Sequence, residues 1–139
     1  MIDMAKEWIK AAYSDLVVID EIIDNHFVTH MVAFHSEQAI EKCFKAILEK
    51  EGTPLQKIHD IRRIHKIIAD KVPLSHEQIN TLLTINELYI DSRYPGDIGL
   101  LPHGKPTLQD AKKFYEFAQE IFEKICILLE INLNEIKEN

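Results

Sequence analysis

Four polar side chains fall on helical faces whose other members are apolar, and that mismatch is where the sequence concentrates its chemistry. At 100° per residue, Asp15 lies on the line of Trp8 and Ile22, and Glu37 on that of Phe44 and Leu48. Asn86 shares a line with Ile79, and Arg93 stands one heptad beyond Asn86. A bare charge in an apolar stripe is costly, so each of these groups needs a partner, a contact with a second copy, or water. The guanidinium fork of Arg93 can bind one carboxylate bidentately and still donate to an amide oxygen. Asp15, Glu37, Asn86 and Arg93 are therefore expected to converge in one network across three helices. The same placement also suits a purely architectural role, pinning helix register.

Further polar groups sit outside those stripes. His35, Gln38 and Lys42, at i, i+3 and i+7, share a separate polar face with Lys45 and Glu49. Their types suit contacts to nucleotide phosphates or bases, and ordinary helix-surface pairing explains them as well. Arg62, Arg63 and Lys66 form a basic patch opposite a row of isoleucines; a solvated charged face explains it, and it is also the best place on an acidic chain for a phosphate or an acidic partner. His26 and His30 have the i, i+4 spacing of two metal ligands, but they bracket a helix break without a nearby third ligand, so no metal is expected. Gly96, Gly99 and Gly104 match neither the phosphate-loop nor the dinucleotide spacing, and no cofactor is expected. Cys43 and Cys126 lie within helical patterns and read as buried, reduced thiols.

Five helical segments must position these residues. The first, about Asp3 to Asp24, carries Ala5, Trp8, Ile9, Ala12, Leu16, Ile19 and Ile23 as one stripe and ends at Asn25-His26. The second covers about His30 to Lys50 and stops at Gly52, with Pro54 beyond. The third is short, from an Asp60 N-cap to about Asp70, with Ile61, Ile64, Ile67 and Ile68 buried and Pro73 closing it. The fourth starts at a Ser75–Gln78 capping box and runs to about Arg93, where Pro95-Gly96 breaks it. After a loop from Pro95 to Pro106, the fifth begins at a Thr107 cap, with Asp110 three residues on. Its stripe of Ala111, Phe114, Ala118, Ile121, Ile125, Leu128 and Leu129 contains no polar residue. No alternating run predicts a strand. The class is all-α, with residues 1–131 as one helical domain and 132–139 as a polar tail expected to fray.

The bulk properties narrow the function. A chain of 139 residues, 46% hydrophobic, builds one core. Its charge of −7 argues against a sequence-independent polyanion binder, since affinity for phosphate backbones comes from Lys and Arg. Asp3, Lys6 and Glu7 stand where a signal peptide needs an apolar run, and no apolar stretch is long enough to span a bilayer. A cytoplasmic protein without a membrane anchor is expected.

Phe34 to Leu48, FHSEQAIEKCFKAIL, resembles the signature helix of HEPN domains (higher eukaryote and prokaryote nucleotide-binding). Ser14-Asp15-Leu16, His59-Asp60-Ile61 and the run from Tyr89 to Pro95 look like landmarks of the same family in the same order. The resemblance implies an up-down bundle of four main helices plus one short helix, a homodimer, and a role in nucleotide or RNA transactions as the partner of a minimal nucleotidyltransferase, in toxin–antitoxin-like pairs. His35, Gln38 and Lys42, with Tyr94, are the candidate ligand-binding residues. Nuclease members of the family carry an Arg, about four to six residues, then a His. In those nucleases a His would move the 2′-hydroxyl proton while a cation stabilises the phosphorane. Here nine residues separate Arg93 from His103, and Arg62 and Arg63 stand too close to His65. The reading is therefore a HEPN binding module without nuclease activity. The alternative is a metal-independent endoribonuclease using Arg93 and His103 as its catalytic pair.

Overall fold

A computed structural model describes residues 1–54, 57–91 and 105–137, with side-chain detail to Tyr89 in the fourth helix. The order along the chain is α1 (Met4–Ile22), a 3₁₀ turn (His26–Val28), α2 (Thr29–Glu51), α3 (Ile61–Ile68), α4 (His76–Asp91), α5 (Leu108–Leu128) and α6 (Leu133–Lys137). No strand occurs among the described residues. The all-α bundle expected from the sequence is the observed fold, with α6 in addition.

Local chemistry sets the helix ends. Asp3 caps α1 by accepting from the Lys6 amide, and Asp60 caps α3 by accepting from Arg62 N and Arg63 N. Ser75 and Gln78 exchange hydrogen bonds ahead of α4, and Thr107 and Asp110 form the full capping box of α5. Gly52 ends α2 with φ 70°, the left-handed conformation that glycine adopts without steric cost. The Thr53 amide then reaches back to Leu48 O, completing a Schellman closure.

The helix α2 is the axis of the bundle: α1, α3, α4 and α5 all pack on it. Phe44, Ile40, Ile9, Ile19, Leu82, Ile85, Ile121 and Ile125 interlock around it with almost no exposed surface. Full burial of each such side chain is worth roughly 1.5–3 kcal/mol. Cys43 and Cys126 are free and buried, as expected. Burial pushes the Cys126 thiol up to about 11, so it stays protonated.

Three expectations need correction. Ile67 is half exposed because α3 offers only one narrow face, filled by Ile61, Ile64 and Ile68. Leu128 is also exposed, because the buried stripe passes from Ile125 to Leu129, which packs against the core in its place. Residues 132–139, expected as a fraying tail, include α6, whose Ile136 is buried and whose Glu135 pairs with Lys6 at 2.8 Å.

Candidate functional site on α2

Because four helices crowd α2, its polar residues cannot all reach water, and they are buried in bonded groups instead. Asp15 of α1, 7% exposed, meets two residues of α2. His35 Nδ1 lies 2.9 Å from Asp15 Oδ1, and Lys42 Nζ donates to Oδ2 at 2.7 Å. His35 and Lys42 are seven residues apart and so share a line facing α1. Their side chains keep 20% and 26% exposure, leaving an edge open to solvent. Phe34 supports this edge, with His35 edge-on at 5.1 Å and Tyr89 of α4 at 5.6 Å. The contact between Nδ1 and the carboxylate fixes the orientation of the imidazole ring. The arrangement thus presents a fixed imidazole beside a fixed ammonium.

A second group runs along the adjoining face of α2. Glu37 has no exposed surface, and its Oε2 accepts from Gln38 Nε2 at 2.9 Å. Burial, followed by the like charge of Glu41 one turn on, pushes the Glu37 carboxyl up to about 9. It is a neutral acid at pH 7. Glu41 Oε2 accepts from Lys45 Nζ at 2.8 Å and lies 3.3 Å from His59 Nδ1. Lys45 also stands over the Trp8 ring, 5.4 Å from its centre. Glu37 Oε1 and Glu41 Oε1 are both buried without a donor among the described residues. A proton held by the pair offsets that deficit.

The third group lies where α3 and α4 meet. Asn86 Nδ2 donates to Asp60 Oδ1 at 3.2 Å, so the α3 cap also anchors α4. Nearby in sequence, Arg62 has a buried Nη1 without a partner among the described residues.

Asp15, Glu37 and Asn86 are all buried, and among the described residues no hydrogen bond joins one to another; Arg93, expected as their common partner, lies outside the described residues. Asp15 finds its two partners on α2 itself, and Asn86 finds an acid already placed by a helix cap. Lys45, assigned from sequence to an exposed polar face, is 8% exposed because Trp8 and Glu41 enclose it. Arg63 and Lys66 are exposed as expected, while Arg62 is half-buried. Arg93, Tyr94 and His103 lie outside the described residues. His59 and Asp60 were legible as a helix start, but not as partners of Glu41 and Asn86.

The HEPN domain family matches residues 5–131, nearly the whole helical bundle. The chain belongs to the HEPN family. Two solved structures share the HEPN fold with it. The protein TT1696 of Thermus thermophilus superposes with a TM-score of 0.73 at 19% identity, over 91% of this chain and 99% of that one. ST0689, an archaeal HEPN homologue, gives 0.65 at 21% identity, over 90% and 96%. No curated protein matches the sequence significantly. The HEPN landmarks read in the sequence, around Asp15, Glu37 and Asp60, all belong to the bonded groups on α2 and α3. No helix among the described residues is long and apolar enough to cross a membrane.

Proposed function

We propose that this HEPN chain is a non-catalytic binding module: a homodimeric partner of a minimal nucleotidyltransferase that holds a nucleotide or RNA against the open edge of α2. One observation carries this reading: Asp15 clamps His35 and Lys42 side by side at a partly exposed surface. Fixing an ammonium and an imidazole side by side in advance lowers the ordering cost of gripping a nucleotide. Gln38, half-buried on the same stretch, adds an amide for a base edge. Asp15 offsets the Lys42 charge, which suits weak, exchangeable binding better than tight capture.

The test is a titration of the full chain with AMP, ATP and a short single-stranded RNA. Saturable binding is expected, weakened at least tenfold in Lys42→Ala and about threefold in Asp15→Asn. Affinity that ignores both substitutions overturns the site. Light scattering reports the dimer, and co-purification with a co-expressed minimal nucleotidyltransferase reports the partnership. A metal-free RNA cleavage assay on wild type, Arg93→Ala, His103→Ala and His35→Ala should show background rates throughout. Turnover lost in Arg93→Ala and His103→Ala would replace the binding module with the endoribonuclease.

A further inference from the structure

Away from the α2 edge, a cleft of ≈ 390 Å3 opens between α1, α5 and α6. That size suits a small organic ligand. Its two ends are built alike, each from aromatic rings and one carboxylate. At one end Tyr115 donates through its hydroxyl to Asp20 Oδ1 at 3.4 Å; at the other Tyr13 stacks beside Phe122 with ring centres 5.9 Å apart, next to Glu123. Tyr13 sits by Phe122 and Asp20 by Tyr115, so α1 and α5 run antiparallel and the acids fall at opposite ends. Eight residues of α5 separate Tyr115 from Glu123, which sets the carboxylates roughly 12 Å apart along the helix axis.

Neither Asp20 nor Glu123 is in an ion pair with another described residue. Both are exposed at the rim. Two carboxylates without a cationic partner, on an acidic protein, repel phosphates and attract cations. Tyrosine and phenylalanine faces between them favour an organic cation over a hydrated metal ion, because ammonium groups and their methylenes pack on aromatic rings. Lys137 is the cationic residue in the lining and opposes such a ligand.

We propose that this cleft is a binding site for a linear aliphatic polyamine of the spermidine type. Its terminal ammonium groups pair with Asp20 and Glu123, and its methylene chain lies across Tyr13, Tyr115 and Phe122. The spacing of the acids matches the end-to-end reach of a triamine and exceeds that of a short diamine. The proposal is independent of the α2 edge, since the cleft shares no residue with it.

The experiment is calorimetric titration of the full chain with spermidine at low and moderate salt, beside putrescine, ammonium chloride and a tri-lysine peptide. One saturable site is expected for spermidine, at least tenfold weaker for putrescine and undetectable for ammonium. Asp20→Asn and Glu123→Gln should each weaken spermidine binding about tenfold, and Lys137→Ala should strengthen it. Asp20 and Glu123 are exposed, so circular dichroism should show unchanged folds and melting. Binding that survives the Asp20→Asn, Glu123→Gln double substitution is diffuse counterion attraction and overturns the site. Absence of saturable binding overturns it as well. Tri-lysine binding more tightly than spermidine replaces the polyamine with a basic peptide and overturns the ligand assignment.

Discussion

Glu37 is a carboxyl group with no exposed surface, bonded to the Gln38 amide and one turn from Glu41, and its chemistry follows from that position. In the unfolded chain it titrates near the ordinary value of 4.5, whereas in the fold it holds its proton up to about 9. The folded state therefore binds the proton more tightly than the unfolded state does. The stabilisation is complete below pH 4.5 and is lost as pH rises toward 9. Melting temperature is expected to fall across that window in wild type and to flatten in Glu37→Gln, which mimics the protonated acid. A slope unchanged by the substitution would place the proton elsewhere. Asp15 is a carboxylate held by two partners on α2. Removing it in Asp15→Ala leaves Lys42 without its buried partner, at an expected cost of about 2 kcal/mol, read by chemical denaturation.

The two helices that close with a chain reversal do so with different residues. The last turn of α2 passes into Gly52 at φ 70°, where an added Cβ would meet no atom within 4 Å. The end of α5 makes the same closure, Ile131 N to Cys126 O, but puts Glu130 at φ 55°. A non-glycine residue there carries strain of about 1 kcal/mol. Glu130→Gly is expected to raise stability by roughly 0.5–1 kcal/mol, and Gly52→Ala to lower it by a similar amount. Equal melting temperatures for wild type and both variants would refute this account of the two caps.

At the scale of the whole molecule, α2 is the scaffold of the bundle. It is covered by four neighbours, so its acids and amines are partnered by one another and by α1 and the start of α3. The polar groups are thus part of what fixes helix order. The short α6 adds Ile136 to the core and a Lys6–Glu135 ion pair between chain ends. Truncation after Asn132 is expected to lower stability by about 2 kcal/mol, mostly from the lost isoleucine, since exposed ion pairs contribute little. Melting of the truncated chain at the wild-type temperature would show that α6 is an appendage. The aromatic and acidic cleft would be lost with it, because Leu133 and Lys137 form one wall.

The helices, their caps at Asp60, Ser75 and Thr107, and the buried polar positions Asp15, Glu37 and Asn86 were legible in the sequence. Apolar periodicity and capping chemistry act over a few residues and depend on little else. The order of residues around Asp15, Glu37 and Asp60 was likewise enough to suggest the HEPN family. Which groups meet was decided only by the tertiary structure. Helical angles state which way Asp15 and Asn86 point, but not that Lys42 and His35 stand opposite the first, or Asp60 opposite the second. That depends on how α1, α3 and α4 cross α2. The same holds for Lys45: its spacing reads as surface, and only Trp8, brought from a different helix, encloses it. Glu37 shows the division most plainly, because its place in an apolar stripe belongs to the sequence, while the proton it keeps belongs to the packing around α2.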